Sequence, residues 1–268
     1  MTTQQDRARL LKELHRPGEP VVLANVWDAA SARLVAAAGA KAVATASASV
    51  SWSLGSPDGG ADRDQVLART AEVVRSVGLP VTADLESGYA DTAAGVGETV
   101  AALLATGAVG VNLEDAEYAP EQAAERIAAA RAAAGAAGVH LFVNGRTDVF
   151  LRGLGEPEGR LDEAVRRLRM YVEAGADSVF VPGVADPETI AALVAAVPAP
   201  LNVLAAPGSP SVAELAKLGV ARISLGPGLG KAAYAAVRRA AEEVYASGTY
   251  TSLDGGLTYQ ELNALSEG

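Results

Sequence analysis

Leu79-Pro80-Val81-Thr82-Ala83-Asp84-Leu85-Glu86-Ser87-Gly88-Tyr89 reads as an apolar strand ending in two carboxylates where a glycine turns the chain. Pro80 suits the first position of a strand, where a missing N–H matters least. The pattern recurs. Val109-Gly110-Val111-Asn112-Leu113-Glu114-Asp115 ends in a second acidic pair, and Phe142-Val143-Asn144-Gly145-Arg146-Thr147-Asp148 ends in a cation and an acid. Apolar strands that repeatedly deliver acids, and then an arginine, point to one site built from several strand ends.

Outward from this segment, short β-type runs alternate with Ala-rich helical stretches. Strands are expected near 21–25, 41–45, 80–84, 109–113, 140–145, 177–181, 200–204 and 221–225. Helices are expected near 28–38, 62–77, 93–106, 119–134, 157–174, 186–196, 210–218 and 230–247, with a further one near 4–14. Eight strands, each followed by a helix, predict a (β/α)8 TIM barrel; a doubly wound open sheet is the alternative. The barrel domain with its N-terminal helix is expected over 1–246. A tail over 247–268, with a short helix near 257–265, is expected to close the barrel or dock on a neighbouring subunit.

Composition narrows the function. Half of the 268 residues are apolar but only 4% are aromatic, so the core must be mostly Ala, Val and Leu. A formal charge of −10 argues against nucleic acid or an anionic membrane as partner. An anionic substrate stays open, because a divalent cation and one arginine reverse the local sign. The absence of cysteine excludes disulfides, thiolate metal sites and a cysteine nucleophile. It fits a cytoplasmic location, as does a charged N-terminal stretch without a signal-peptide run.

Active sites of such barrels lie at the C-terminal strand ends. The expected strands deliver Asn25 and Asp28, Thr45 to Ser47, Asp58 in the following loop, Asp84 and Glu86, Glu114 and Asp115, Arg146 and Asp148, Pro182-Gly183, and Asn202. Carboxylates with only two histidines favour a hard cation: Mg²⁺, with Mn²⁺ also fitting. Asp84 is the expected direct ligand, with Glu86, Glu114 and Asp58 in the water shell. Taken singly, each acid reads equally well as a helix cap or loop charge, and Asp115 and Asp148 are assigned to such pairing. His15 and His140 read as structural. Trp27 and Trp52 fall near the site, where either packs over a ligand, is simply buried or contacts a partner subunit. Ser224-Leu225-Gly226-Pro227-Gly228-Leu229-Gly230 reads as a tight strand-to-helix turn in preference to a phosphate loop.

These motifs resemble the isocitrate lyase/phosphoenolpyruvate mutase superfamily from about Val21 to Val244. The carrying segments are Asn25-Val26-Trp27-Asp28-Ala29, Ser53-Leu54-Gly55-Ser56-Pro57-Asp58-Gly59, Ala83–Tyr89, Gly110–Asp115, Asn144–Asp148 and Ser209-Pro210-Ser211-Val212-Ala213-Glu214-Leu215. The resemblance implies a barrel whose last helix is swapped between subunits of a homodimer or homotetramer, and a Mg²⁺-held 2-oxo acid or enolate. It implies that Thr45, Ala46 and Ser47 hold the substrate carboxylate, that Asp58, Asp84, Glu86 and Glu114 bind the metal, and that Arg146 contacts the substrate oxygens. Trp27 and Asn202 complete the expected substrate-binding set. Arg146, Glu114 and Tyr89 are the expected catalytic groups; proton delivery falls to Tyr89 or a metal-bound water, and Tyr89 reads equally well as a packing residue.

The departures from the family are as informative. The lyases that act on isocitrate and 2-methylisocitrate carry a Lys-x-Cys-Gly-His-type loop after the fourth strand. Here Asp115-Ala116-Glu117-Tyr118-Ala119-Pro120-Glu121 has no Cys, Lys or His and little length for a lid. The mutases' lysine and asparagines are also missing there, and Gly183 replaces an acid-bearing turn. The expectation is therefore an enzyme: a Mg²⁺-dependent lyase or hydrolase of a small 2-oxo or 2-hydroxy dicarboxylic acid, oxaloacetate-like first. The alternatives are a P–C bond enzyme acting on phosphonopyruvate or phosphoenolpyruvate, and a 2-oxo acid binding protein with little turnover.

Overall fold

In the computed structural model, which describes residues 3–267, eight parallel strands form one sheet. They are β1 (Val21–Leu23), β2 (Val43–Ala44), β3 (Val81–Asp84), β4 (Gly110–Glu114), β5 (Phe142–Arg146), β6 (Ser178–Val181), β7 (Leu201–Leu204) and β8 (Arg222–Ser224). Their order is β1-β8-β7-β6-β5-β4-β3-β2, so first and last strands in sequence are neighbours. The seam between β1 and β2 is closed by one bridge. Val26 N–H donates to Ala44 O at 2.8 Å and Ala46 N–H to Val26 O at 3.1 Å. Asn25 staples the seam, donating from Nδ2 to Thr45 O and accepting from Leu225 N–H. The fold is thus a (β/α)8 barrel, as the alternation of elements predicts.

The helices are α1 (Gln4–Leu14), α2 (Ala29–Ala37), α3 (Ser47–Ser53), α4 (Arg63–Ser76), α5 (Ala93–Ala105) and α6 (Pro120–Ala136). They continue with α7 (Arg160–Glu173), α8 (Pro187–Ala196), α9 (Val212–Lys217), α10 (Gly228–Ser247) and α11 (Tyr259–Glu267). Many starts carry their reason in sequence. Asp28, Asp62, Thr92, Asp186 and Ser211 each accept a first-turn backbone N–H, an arrangement worth about 1 kcal/mol per cap.

Strand alternation sorts side chains into two layers. Val111 and Leu113 of β4, with Val143, Val179, Val203 and Ile223, join Val100, Leu103, Ile127, Leu168, Ile190 and Leu193 of the helices in the main core. Each fully buried residue of this kind contributes about 1.5–3 kcal/mol. The other set faces the lumen. Val21, Leu23, Ala44 and Phe142 pack there against Ala8 and Leu11 of α1, which plugs the N-terminal end. His15 is buried beside this plug, its ring stacked 4.0 Å from Phe142. Asp177 fastens the same end: it accepts from His140, Arg131 and Val143 N–H, with Lys12 nearby. Both histidines are structural in this arrangement.

The last barrel helix behaves unlike the rest. Only Gly230 of α10 is buried, while Tyr234, Val237 and Tyr245 are exposed. The outer face of β1 is correspondingly bare at Val22, beside a groove of about 710 Å³ lined by Leu14, Val22, Leu34, Val35 and Leu229. Gly248, at φ +67°, ends α10, and Glu243 holds the following turn through Thr249, Thr251 and Ser252. The chain then places α11 beside α2. Among the described residues, no helix is long and apolar enough to cross a membrane.

Candidate active site

The C-terminal mouth of the barrel opens into a cavity of about 260 Å³. Asp84, Asp58, Arg146, Asn112, Thr45, Ala46, Ser47 and Arg222 line it with Phe180, Leu151 and Leu204. Asp84, the last residue of β3, is its centre. Oδ2 accepts from Ser47 N–H (3.2 Å) and Ser47 Oγ (2.9 Å), and Oδ1 from Asn112 Nδ2 (3.0 Å). All these donors are neutral. Asn112 is itself fixed by Asn144 Nδ2, whose Oδ1 accepts from Ser178 Oγ, so a polar ladder across β4–β6 sets its orientation.

The proposed carboxylate cradle is placed on this cavity but is already engaged. Thr45 N–H donates to Thr82 O and Ala46 N–H to Val26 O. Thr45 Oγ1 accepts from Asp84 N–H. What this turn offers a ligand is therefore the Ser47 hydroxyl and N–H, now turned onto Asp84. Ser47 also begins α3, a helix absent from the sequence-based expectation.

Arg146 is clamped on two sides. Asp148 accepts from its Nε (2.6 Å) and Nη2 (3.1 Å), and Glu114 sits 2.6 Å from Nη1. Burial alone would lower the arginine, but Glu114 and Asp148 overcome it and hold Arg146 above its ordinary value. Burial pushes Glu114 up to about 8 against the pull of Arg146, with Asp84 and Asp148 adding to the rise. Glu86 is also raised by burial, opposed by the Tyr89 hydroxyl that donates to it at 2.6 Å. Tyr89 is raised by burial and by that carboxylate. Glu86 and Tyr89 adopt φ of 50° and 52°, a left-handed conformation that costs non-glycine residues roughly 1–3 kcal/mol. Arg126 supports this loop from α6, donating to Ser87 O, Ala90 O and Asp91 O while stacking 3.6 Å from the Tyr118 ring.

Not every expected residue reaches the cavity wall. Trp27 and Trp52 instead flank Tyr234 of α10, with centroids 6.4 and 6.5 Å away. Asn202 is fully buried in the lumen below, paired in register with Arg222 and accepting from Ser224 Oγ. Glu86, Glu114 and Tyr89 stand beside the cavity and reach it electrostatically. Asp28 caps α2, and Asp115 forms a buried knot with Thr147, Arg167, Tyr171 and Asp148 N–H. Gly183, at φ +87°, lies so close to Leu151 that a Cβ would fall 2.7 Å from its backbone nitrogen. No acid-bearing side chain fits there. The turn over Gly226–Gly230 is the expected strand-to-helix connection, α10 starting at Gly228. The cavity residue that sequence reading missed is Arg222, a lone charge inside the apolar run Val220-Ala221-Arg222-Ile223.

The donor set fits a hard cation centred on Asp84. Asp84 and Asp58 act on Glu86, and Asp84 and Glu86 on Glu114, so these acids face one region. Among the described residues no three of them converge as a ready-made cage. One direct carboxylate with others reaching through water is the arrangement Mg²⁺ takes when it keeps several waters.

Residues 11–245 match the phosphoenolpyruvate phosphomutase family. An uncharacterised Mycobacterium tuberculosis protein is 37% identical over 84% of this chain and 86% of its own length. A Burkholderia cenocepacia structure provisionally assigned as a lyase or mutase superposes with a TM-score of 0.91 at 40% identity, covering 99% of this chain and 97% of that one. A phosphonopyruvate hydrolase in complex with oxalate and Mg²⁺ superposes with a TM-score of 0.84 at 26% identity, covering 97% and 95%. Similar proteins with named activities include 2-methylisocitrate lyase, oxaloacetate decarboxylase, oxaloacetate acetylhydrolase and phosphoenolpyruvate phosphomutase, all enzymes. The chain therefore belongs to the isocitrate lyase/phosphoenolpyruvate mutase superfamily.

Proposed function

We propose that this protein is a Mg²⁺-dependent lyase or hydrolase that cleaves a C–C bond in a small 2-oxo or 2-hydroxy acid through an enolate. Oxaloacetate-like dicarboxylates are the first substrates to test. The observation that carries this reading is the pairing of Asp84, held only by neutral donors and open to the cavity, with Arg146 clamped alongside it. Mg²⁺ at Asp84 (or Mn²⁺) would supply charge stabilisation at the substrate's carboxylate and 2-oxo oxygens.

The chain's own residues do the remainder. Asp84 anchors the cation, with Glu86, Glu114 and Asp58 as its water-shell partners. Ser47 holds the substrate carboxylate. Asp148 occupies the Nε–Nη2 edge of the Arg146 guanidinium and Glu114 one side of Nη1, and together they aim its remaining N–H groups at the oxygen that gains charge as the bond breaks. A donor fixed before the reaction favours the transition state more than the ground-state carbonyl. Tyr89, hydrogen-bonded to Glu86, is the proton-delivery candidate. The five-residue connection 115–119 is pinned by Tyr118 N–H on Asp115 O and by Arg126 over the Tyr118 ring, in keeping with a site that works without a long lid.

The bare β1 groove and the exposed face of α10 support a homodimer or homotetramer in which α10 of a second copy covers Val22. A turnover screen with Mg²⁺ against oxaloacetate, phosphonopyruvate and 2-methylisocitrate tests the function. Release of carbon dioxide, or of oxalate and acetate, from oxaloacetate supports it. Phosphate release from phosphonopyruvate alone replaces it with the P–C reading, and tight oxalate binding without turnover replaces it with a binding protein.

A further inference from the structure

Among the described residues Arg126 and Arg222 are the fully buried arginines, and Arg222 is the less answered of the two. It projects from β8 into the lumen, is 3% exposed, and lines the same cavity as Asp84. Its Nε donates to the neutral Ser224 Oγ at 3.2 Å, and its buried Nη1 has no partner. The other buried arginine, Arg126, and three half-buried ones are treated differently. Arg126 is met by three carbonyls, Arg131 by two carbonyls and Asp177, Arg146 by Glu114 and Asp148, and Arg167 by Asp115 and Glu163. Among the described residues no carboxylate lies within ion-pair distance of Arg222. A buried charge with so few partners is expensive to keep.

Its electrical surroundings say what it faces. Below lies His15, whose Nδ1 is engaged with Leu11 O and whose Nε2 is buried and unpartnered. Burial, with Arg222 adding to it, takes that imidazole down to about 3, so it is neutral and offers no counter-charge. Above lies Asp84, the one acid whose field supports the Arg222 charge. Asp84 has no cation in contact with it, only Ser47 and Asn112. Asp84 is therefore the long-range partner of Arg222 across the cavity, as it is also of Arg146.

We propose that Arg222 is the fixed counter-charge of Asp84 and couples the binding of a divalent cation there to the binding of a dianionic ligand head. This rests on the metal reading of Asp84 given above. A cation arriving alone at Asp84 is repelled by Arg222. A cation arriving with a dianion such as oxalate forms a neutral pair, and the repulsion disappears. Arg222 thus weakens the metal alone and leaves the ternary complex nearly untouched, so by linkage the acid binds the metal-loaded protein more tightly. The chemical class selected is an acid presenting two negative oxygens to the metal, as oxalate does and as a 2-oxo acid does once it becomes its enolate, in preference to a neutral or singly charged chelator.

Calorimetric titration of Mg²⁺ alone, and of oxalate into Mg²⁺-saturated protein, tests this with Arg222→Met and Arg222→Lys. For Arg222→Met the Mg²⁺ dissociation constant is expected to fall about five- to tenfold, and the oxalate constant to rise by the same factor, their product staying constant within about twofold. Arg222→Lys keeps the charge and is expected to stay within about threefold of wild type in both. The melting temperature of each variant is read alongside, and Arg222→Lys carries the test if Arg222→Met fails to fold: a loss of either affinity by more than tenfold there overturns the proposal. Both constants weakening together in a folded Arg222→Met would mean a packing role, and neither moving would mean no coupling; either result overturns it. Wild-type protein that binds no Mg²⁺ would instead sink the metal reading itself.

Discussion

Asp84 and Asp115 close consecutive parallel strands, yet they are built in opposite ways. Asp115 accepts from Thr147 Oγ1, Asp148 N–H, Arg167 Nη1 and Tyr171 OH, and its side chain is wholly buried. Every lone pair is spent inside the protein. Asp84 is held by neutral donors and faces a cavity. A carboxylate with a full set of charged and neutral donors has nothing left to offer, whereas one with only neutral donors attracts a cation. The two are also joined: Asp115 fixes Asp148, and Asp148 fixes Arg146. One acid builds the wall that the other uses.

Substitutions should separate the two roles. Asp84→Ala should lower Mg²⁺-dependent kcat/KM by about 10³-fold or more, roughly 4 kcal/mol of transition-state stabilisation, with melting temperature little changed; a loss of stability equal to that of Asp115 variants would erase the contrast. Asp115→Ala should cost about 3–5 kcal/mol of stability in chemical denaturation, because Arg167 and Tyr171 lose their buried partner. Arg146→Lys should lower kcat/KM about 10²-fold, since an ammonium cannot be clamped by Glu114 and Asp148 and still aim two donors.

The smallest effect is a pH dependence. Metal-free Glu114 lies near 8, above its value in an unfolded chain. Its contribution to stability is thus fully present below about pH 4.5 and is lost as pH rises through 8. Mg²⁺, which favours the ionised form, should gain up to about tenfold in affinity per pH unit between roughly pH 6 and 8. Calorimetry of Glu114→Gln should show this slope flattened; an unchanged slope would assign the proton to another group.

The barrel was legible because the strands are punctuated so regularly, each expected strand lying over an observed one. The exception among helices is instructive. Ser47-Ala48-Ser49-Val50-Ser51-Trp52-Ser53 has poor helix propensity and no side-chain cap, and it becomes α3 because Ser47 is drawn onto Asp84. Asp84, Asp58 and Arg146 were legible as strand-end and loop charges in a recognisable motif. Arg222 was not, because a single charge in an apolar strand reads as facing outward until the register with Asn202 puts it in the lumen. Trp27 fell near the cavity in sequence, yet its ring turns toward Tyr234 on the helix that leaves the barrel.

The most direct test of the account is oxalate binding to purified protein, measured by calorimetry with and without Mg²⁺, in wild type and in Asp84→Ala. Tight binding is expected only with Mg²⁺, and it should be abolished in a folded Asp84→Ala. Oxalate binding that is equally strong without metal, or that survives in Asp84→Ala, would contradict it.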